Sequence, residues 1–256
     1  MSAEPVIQFK NVSKNFRRAD GKGEFVAVDK LSFEIAKGEI VAVLGKTGCG
    51  KSTMFNIVAG LIEPSEGIAR VVGHNPFSEF NFFRGKIGIV FQNDRLMPWR
   101  TALENVRLGL QILNADPKKA DETARHWLER LGLSGHENDY PHALSGGMRQ
   151  RVSIARAFAV NPDILLCDEP FSALDEMTAR DLRAEFVKLV RQNDKTGIFI
   201  THQINEALEI GDRVMVFHRP AQIAYEARLT ASTGEAERNN VRDQIMKVLS
   251  ESPSTD

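Results

Sequence analysis

Gly45-Lys46-Thr47-Gly48-Cys49-Gly50-Lys51-Ser52 sets three glycines, a lysine and a hydroxyl at the spacing G-x-x-x-x-G-K-[ST] of a phosphate-binding loop. Glycine lets the backbone turn tightly and bring its N–H groups up to phosphate oxygens. A helix beginning near Thr53 would add the partial positive charge of its N-terminus. Lys51 has the reach for β- and γ-phosphates, and the Ser52 hydroxyl suits Mg²⁺. A second constellation is Leu165-Leu166-Cys167-Asp168-Glu169, an apolar run that ends in two carboxylates. Asp168 can hold Mg²⁺ through water, and Glu169 can take a proton from an attacking water. An acidic pair after a strand is common, and it gains this meaning from the loop upstream. A third is Leu144-Ser145-Gly146-Gly147, where Ser145 can cap a helix and the glycine pair admits a close backbone approach.

These groups need rigid elements to hold them. Ile40 to Leu44 is wholly apolar, as expected of a strand buried on both faces, and it delivers the chain into the loop. Ile87–Phe91, Ile164–Cys167, Gly197–Thr201 and Arg213–Phe217 read as further short strands. Val6–Phe9, followed by Asn11–Phe16, and Ile68–Val72 read as strands, and Phe25–Val28 and Leu31–Ile35 alternate enough for an antiparallel sheet with one wet face. Between the second and third strands of the core the pattern turns helical: Ala102–Leu113, Lys118–Leu131 with Ala120, Ala124, Trp127, Leu128 and Leu131 on one face, and a helix from Ser145 to about Val160. Met177–Gln192 and Ile204–Leu208 are helical too. The tail is weaker: Asn240–Leu249 could form a helix, and Ser250–Asp256 reads as frayed. The expectation is an α/β fold, a P-loop NTPase (RecA-like) parallel-sheet core with an N-terminal antiparallel β-subdomain and an inserted helical subdomain. The boundaries fall at residues 1–92 and 161–222 for the core, 93–160 for the helical part and 223–256 for a C-terminal tail.

The 256 residues are ordinary in composition, 42% hydrophobic and 26% charged, with a net charge of −1. That charge gives no bulk electrostatic case for nucleic-acid binding. The two cysteines, Cys49 and Cys167, sit in motif positions and do not suggest a disulfide framework. The first residues lack a secretory pattern, and no run approaches the roughly 18 apolar residues of a membrane span. A membrane role would need another chain to supply the membrane part.

Leu144 to Arg151, LSGGMRQR, resembles the signature motif of ATP-binding cassette (ABC) ATPases. The resemblance runs from residue 6 to about 218 and includes each expected motif in order. It implies ATP and Mg²⁺ as ligands, with the nucleotide held by Gly45, Lys46, Thr47, Gly48, Cys49, Gly50, Lys51, Ser52 and Thr53. It implies that Phe16 stacks on adenine, and that Gln92 contacts Mg²⁺ and the lytic water while sensing a membrane partner. Ser145, Gly146 and Gly147 would touch the γ-phosphate held by a second copy. Asp175, in Ser172-Ala173-Leu174-Asp175, would cross the dimer interface, and His202 would position the γ-phosphate. Catalysis would rest on Glu169, His202 and Gln92; metal binding on Ser52, Gln92 and Asp168. Cys49 departs from the more familiar Ser, Ala or Gly, which a main-chain cradle tolerates, and raises the expectation of sensitivity to thiol reagents.

Three roles compete. A chromosome or repair ATPase of this class would need a long coiled-coil insertion, and residues 93–143 are too short and lack heptads. A ribosome-associated cassette usually carries two P-loops, and this chain has one. The energising subunit of a membrane transporter is favoured. The finer resemblance, carried by Phe91–Trp99, Thr101–Leu110, Tyr140-Pro141-His142 and Asp168–Asp175, is to importers of the nitrate, sulfonate and taurine group. It implies an ATP-sandwich homodimer, integral membrane permease subunits, an indirect solute-binding protein, no nucleic acid, and a peripheral place on the cytoplasmic face of the inner membrane. Leu96-Met97-Pro98-Trp99 would be an exposed apolar surface for the permease.

Overall fold

The computed structural model describes residues 4–18, 21, 23–230 and 232–251. The chain opens with β1 (Ile7–Arg17), β2 (Glu24–Ile35), β3 (Ile40–Gly45), α1 (Lys51–Val58) and β4 (Glu66–Val71). Then come β5 (Ile87–Val90), α2 (Ala102–Ile112), α3 (Pro117–Arg130), α4 (Gly146–Ala159), β6 (Ile164–Asp168) and α5 (Glu176–Gln192). It closes with β7 (Thr196–Ile200), α6 (Ile204–Ile210), β8 (Arg213–His218), β9 (Gln222–Arg228) and α7 (Glu235–Glu251). Two compact units divide these elements: Met1–Phe82 with Thr196–Asp256, and Phe83–Lys195.

In the first unit β1 pairs antiparallel with β2 on one side and β4 on the other. The four N-terminal strand segments expected from the sequence are two long strands. Asn11 and Lys30, with φ of 49° and 45°, absorb bulges that bend the ladder without ending it. Phe9 and Phe33 face each other in register and stack at 4.6 Å. From Leu31 to Ile35 buried and exposed residues alternate, so one face of this sheet is wet.

The same unit holds a parallel ladder in which β3 lies between β7 and β8. All six residues of β3 are buried, the reason its sequence shows no polar alternation. β9 adds antiparallel to β8, as a strand the sequence reading does not mark, because none of its residues is buried and three of the seven are exposed. Helix α7 begins at Glu235 and continues through Ser250 and Glu251, longer at both ends than the expected Asn240–Leu249. Val241 and Ile245 enter a core cluster with Ala42, Leu44, Leu208, Val214 and Val216, and Val248 and Leu249 pack against it. Much of the expected tail is therefore part of this unit; the fraying expected for 252–256 lies outside the described residues.

In the second unit β5 and β6 pair in parallel, with Val90 opposite Cys167. Helices α2, α3 and α4 pack on one another, and α4 meets α5 through Phe158 and Phe186, 5.9 Å apart and edge-to-face. Each helix start has a sequence signal that works: the Thr101–Glu104 capping box opens α2, Asp116 followed by Pro117 opens α3, Ser145 opens α4 and Asp175 opens α5. No helix among the described residues is long and apolar enough to cross a membrane.

Candidate active site

The glycine-rich loop follows β3 and runs into α1, whose N-cap, Gly50, has a left-handed φ of 104° and no side-chain cap. A Cβ here would lie 2.3 Å from the Ala27 carbonyl oxygen, so close packing and backbone conformation both demand glycine. Lys51 is folded inward: its Nζ donates to the Gly45 carbonyl at 2.6 Å and the Lys46 carbonyl at 3.1 Å. The lysine is thus held at the loop it would share with a phosphate. Lys46, Thr47, Gly48 and Ser52 are exposed, and Thr53 is half-buried. Cys49 is buried, its sulfur 3.9 Å from the Lys51 Nζ. Burial removes the ready reagent access that the expected thiol sensitivity requires.

A cavity of about 220 Å³ opens beside this loop, bordered by Gly48, Gly50, Lys51, Ser52 and Thr53 on one side and by Phe25, Val26 and Ala27 of β2 on another. Phe16 is not part of this lining; its ring stacks on Phe25 at 5.5 Å, so the two aromatics form a pair. Phe25 carried no role in the sequence reading, although its place opposite Phe16 in the β1–β2 ladder puts the two on one face.

His202, also in this unit, is exposed just beyond β7. Thr201 before it is buried, and its hydroxyl donates to the buried Glu206 carboxylate and accepts from the Gln203 N–H at 3.0 Å. The Thr201 N–H bonds the Val43 carbonyl at 3.1 Å, tying this turn to β3.

In the second unit Asp168 ends β6, and Glu169 follows with a φ of 45°. A non-glycine residue in that region is strained and is held there by its surroundings. The Ser172 hydroxyl donates to the Glu169 carbonyl at 3.0 Å. Gln92 and Glu169, far apart in sequence, meet: Gln92 Nε2 donates to Glu169 Oε2 at 3.3 Å. Burial, reinforced by the Asp168 charge, pushes the Cys167 thiol far above its ordinary pKa and keeps it neutral.

Ser145 and Gly146 stand exposed at the start of α4, and the Ser145 hydroxyl accepts from Met148 N–H at 3.2 Å. The arginines of this helix do what the motif alone did not reveal. Arg149 pairs with Asp94 at 3.0 Å and donates to the Leu144 carbonyl at 2.7 Å, next to Ser145. Arg156 donates to the Asp94 and Arg95 carbonyls at 2.7 and 2.8 Å. Burial lowers the Arg156 pKa, and the Asp94 charge opposes that shift. The segment after Gln92 is thereby bound to the helix that begins at Ser145.

Its far end is held by Asn105, fully buried on α2. The Asn105 Oδ1 accepts from Met97 N–H at 2.7 Å, and Nδ2 faces the Met97, Arg100 and Thr101 carbonyls at 3.0–3.2 Å. A lone asparagine among the inward-facing Leu103 and Val106 was the signal for this clamp. It shapes Leu96–Trp99 unevenly: Leu96 is buried, Met97 partly so, and Trp99 is 70% exposed. Asp175 is exposed and accepts from Thr178 N–H at 3.0 Å; that bond holds its carboxyl below the usual range.

Residues 28–172 match the family described as ABC transporter. An uncharacterised ABC transporter ATP-binding protein of Methanocaldococcus jannaschii is 42% identical over 85% of this chain and 79% of its own. A taurine import ATP-binding protein of Yersinia pestis is 39% identical over 88% of this chain and 85% of its own. Among solved structures, a dimeric ATP-binding cassette in a post-hydrolysis state with ADP and Pi aligns with a TM-score of 0.79. It is 35% identical, and the alignment covers 88% of this chain and 99% of that one.

Proposed function

We propose that this chain, which belongs to the ABC transporter family, energises an importer of small anionic or organic solutes of the nitrate, sulfonate and taurine class. The chain is an ATP-binding, ATP-hydrolysing subunit of a transporter. The taurine importer subunit of Yersinia pestis supports the direction and the solute class.

The observation that carries the mechanism is the openness of Ser145 and Gly146 at a capped helix start. A helix beginning with free N–H groups and partial positive charge suits the γ-phosphate of a nucleotide held by another copy. In this reading ATP lies on residues 45–53 of one copy, with Phe16 toward the base. Ser145, Gly146 and Gly147 of a second copy close over it, with Asp175 at the joint. ATP binding favours the closed dimer through contacts the open one lacks. Lys51 exchanges its bond to the Gly45 carbonyl for phosphate oxygens. Gln92 orients water; Glu169 takes its proton as the water oxygen bonds the γ-phosphorus and the bond to the β-phosphate oxygen breaks, leaving ADP and phosphate. His202 donates to the γ-phosphate.

Ser52, Gln92 and Asp168 would offer oxygen donors. That fits Mg²⁺, which keeps waters and substrate phosphates as its main ligands. When bound it would neutralise charge on the β- and γ-phosphates. Residues 93–160 act as the helical signature subdomain, and the exposed Trp99 is a contact for permease subunits on the cytoplasmic face of the inner membrane.

The test uses Glu169→Gln, which removes the proposed base and should bind ATP without turning it over. Light scattering should show the mass doubling with ATP and Mg²⁺, and Ser145→Arg should abolish the shift. A monomer under all conditions, with ATP bound, would reject the sandwich.

A further inference from the structure

We propose that Arg219 is a nucleotide contact of this chain, its guanidinium pairing with the base-proximal phosphate of bound ATP. The inference deepens the ATP site described above and rests on that reading. Arg219 lies in the turn between β8 and β9, outside every motif that marked the site, and the sequence reading gives it no role.

Arg219 borders the same cavity of about 220 Å³ as Phe25, Val26, Ser52 and Thr53. Among the described lining residues, only it and Lys51 are charged. The two cations are placed for different work. Lys51 is buried and turned back onto the Gly45 and Lys46 carbonyls. Arg219 is exposed, and among the described residues no hydrogen bond, ion pair or ring contact engages it. Arginines elsewhere in the chain are commonly committed: Arg149 to Asp94, Arg151 to Glu185, Arg213 to Glu226. A guanidinium without a partner at the wall of a phosphate-binding cavity is a fork available to an anion.

The backbone that carries it is held close to β2. Two residues on, the Ala221 N–H donates to the Ala27 carbonyl at 3.0 Å, and its carbonyl accepts from the Asp29 N–H at 3.3 Å. The Gln222 amide donates to Asp29 at 2.6 Å. The turn also abuts the glycine-rich loop, since a Cβ on Gly50 would come within 2.7 Å of the Ala221 Cβ. The fold thus holds the turn that bears Arg219 beside β2 and the start of α1. The same lining carries the aromatic Phe25 of β2 and Thr53 at the start of α1. Lys51 has the reach for the β- and γ-phosphates, which leaves the second cation for the phosphate nearest the ribose, which ATP and ADP share and adenosine lacks.

The experiment is equilibrium binding of ATP, ADP and adenosine to the full chain, with wild type, Arg219→Ala, Arg219→Lys and Lys51→Ala compared. Arg219→Ala should weaken ATP and ADP alike by about tenfold, the scale of one charge-assisted contact. It should leave adenosine unchanged, and Arg219→Lys should recover part of the loss. Wild-type affinity should also fall more steeply with salt than that of Arg219→Ala. The exposed, partnerless side chain can be replaced without unfolding the chain, which thermal denaturation checks. Unchanged ATP and ADP affinities, with Lys51→Ala defective, would overturn the role of Arg219 alone. A parallel loss for adenosine would overturn the phosphate contact in favour of stacking on the base. Failure of wild type to bind ATP would instead overturn the nucleotide reading on which this rests.

Discussion

Replacing Asn105 should release the segment that carries Trp99, at a cost that can be worked from its bonds. Oδ1 takes one hydrogen, from Met97 N–H, and Nδ2 has two hydrogens for three carbonyls. The side chain therefore accounts for three donated hydrogens, each contributing about 1 kcal/mol net. Asn105→Ala should cost about 3 kcal/mol, with the stranded Met97 N–H tending to raise that figure. Asn105→Asp should fare worse at neutral pH. One carboxylate oxygen keeps the Met97 bond, but the other faces three carbonyl oxygens, which raises the pKa of the folded form. A raised folded pKa makes the loss smallest below the ordinary aspartate value near 4, and lets it grow as pH rises through the folded value. The assay is urea denaturation followed by tryptophan fluorescence, since both tryptophans, Trp99 and Trp127, lie in the second unit. Amide exchange at Met97 reports the loop directly. A loss under about 1 kcal/mol, or full stability loss without faster exchange at Met97, would refute the clamp.

Gly50→Ala should abolish ATP binding, because its Cβ meets the Ala27 carbonyl at 2.3 Å in a left-handed conformation; equilibrium binding with a fluorescent ATP analogue checks this. Arg149→Ala should cost about 2 kcal/mol of stability, since it removes the partly exposed pair with Asp94 and the bond to the Leu144 carbonyl. It should also lower the ratio of ATPase activity with permease subunits to that without, measured on the purified complex. Asp175→Ala should lower the melting temperature through loss of the α5 cap, and Asp175→Asn, which keeps the acceptor without the charge, should lower it less. The folded pKa of Asp175 is depressed, so the charged cap's contribution is present above about pH 4 and is lost as pH falls through the lower folded value. The melting difference between wild type and Asp175→Ala should narrow accordingly.

The phosphate loop, the Asp168–Glu169 strand end and the capped start of α4 were legible from residue order. Each is a local device: its chemistry depends on neighbours within about ten residues, and those neighbours are in the sequence. Fully buried strands such as β3 were legible for the same reason, as unbroken apolar runs. The tertiary structure decided what depends on distant partners. Bulges at Asn11 and Lys30 joined short strands into long ones, because ladder pairing outweighed a local kink. Residues 222–228 became a strand and 235–251 a helix because β8 and the cluster around Ala42 and Leu44 were there to receive them. Gln92 meets Glu169, Arg149 meets Asp94, and Asn105 gathers four backbone groups, none of which spacing alone discloses. Arg219 shows the point most plainly. Nothing in its sequence neighbourhood speaks of nucleotides, and only the backbone bonds between its turn and β2 bring it to the wall of the phosphate site.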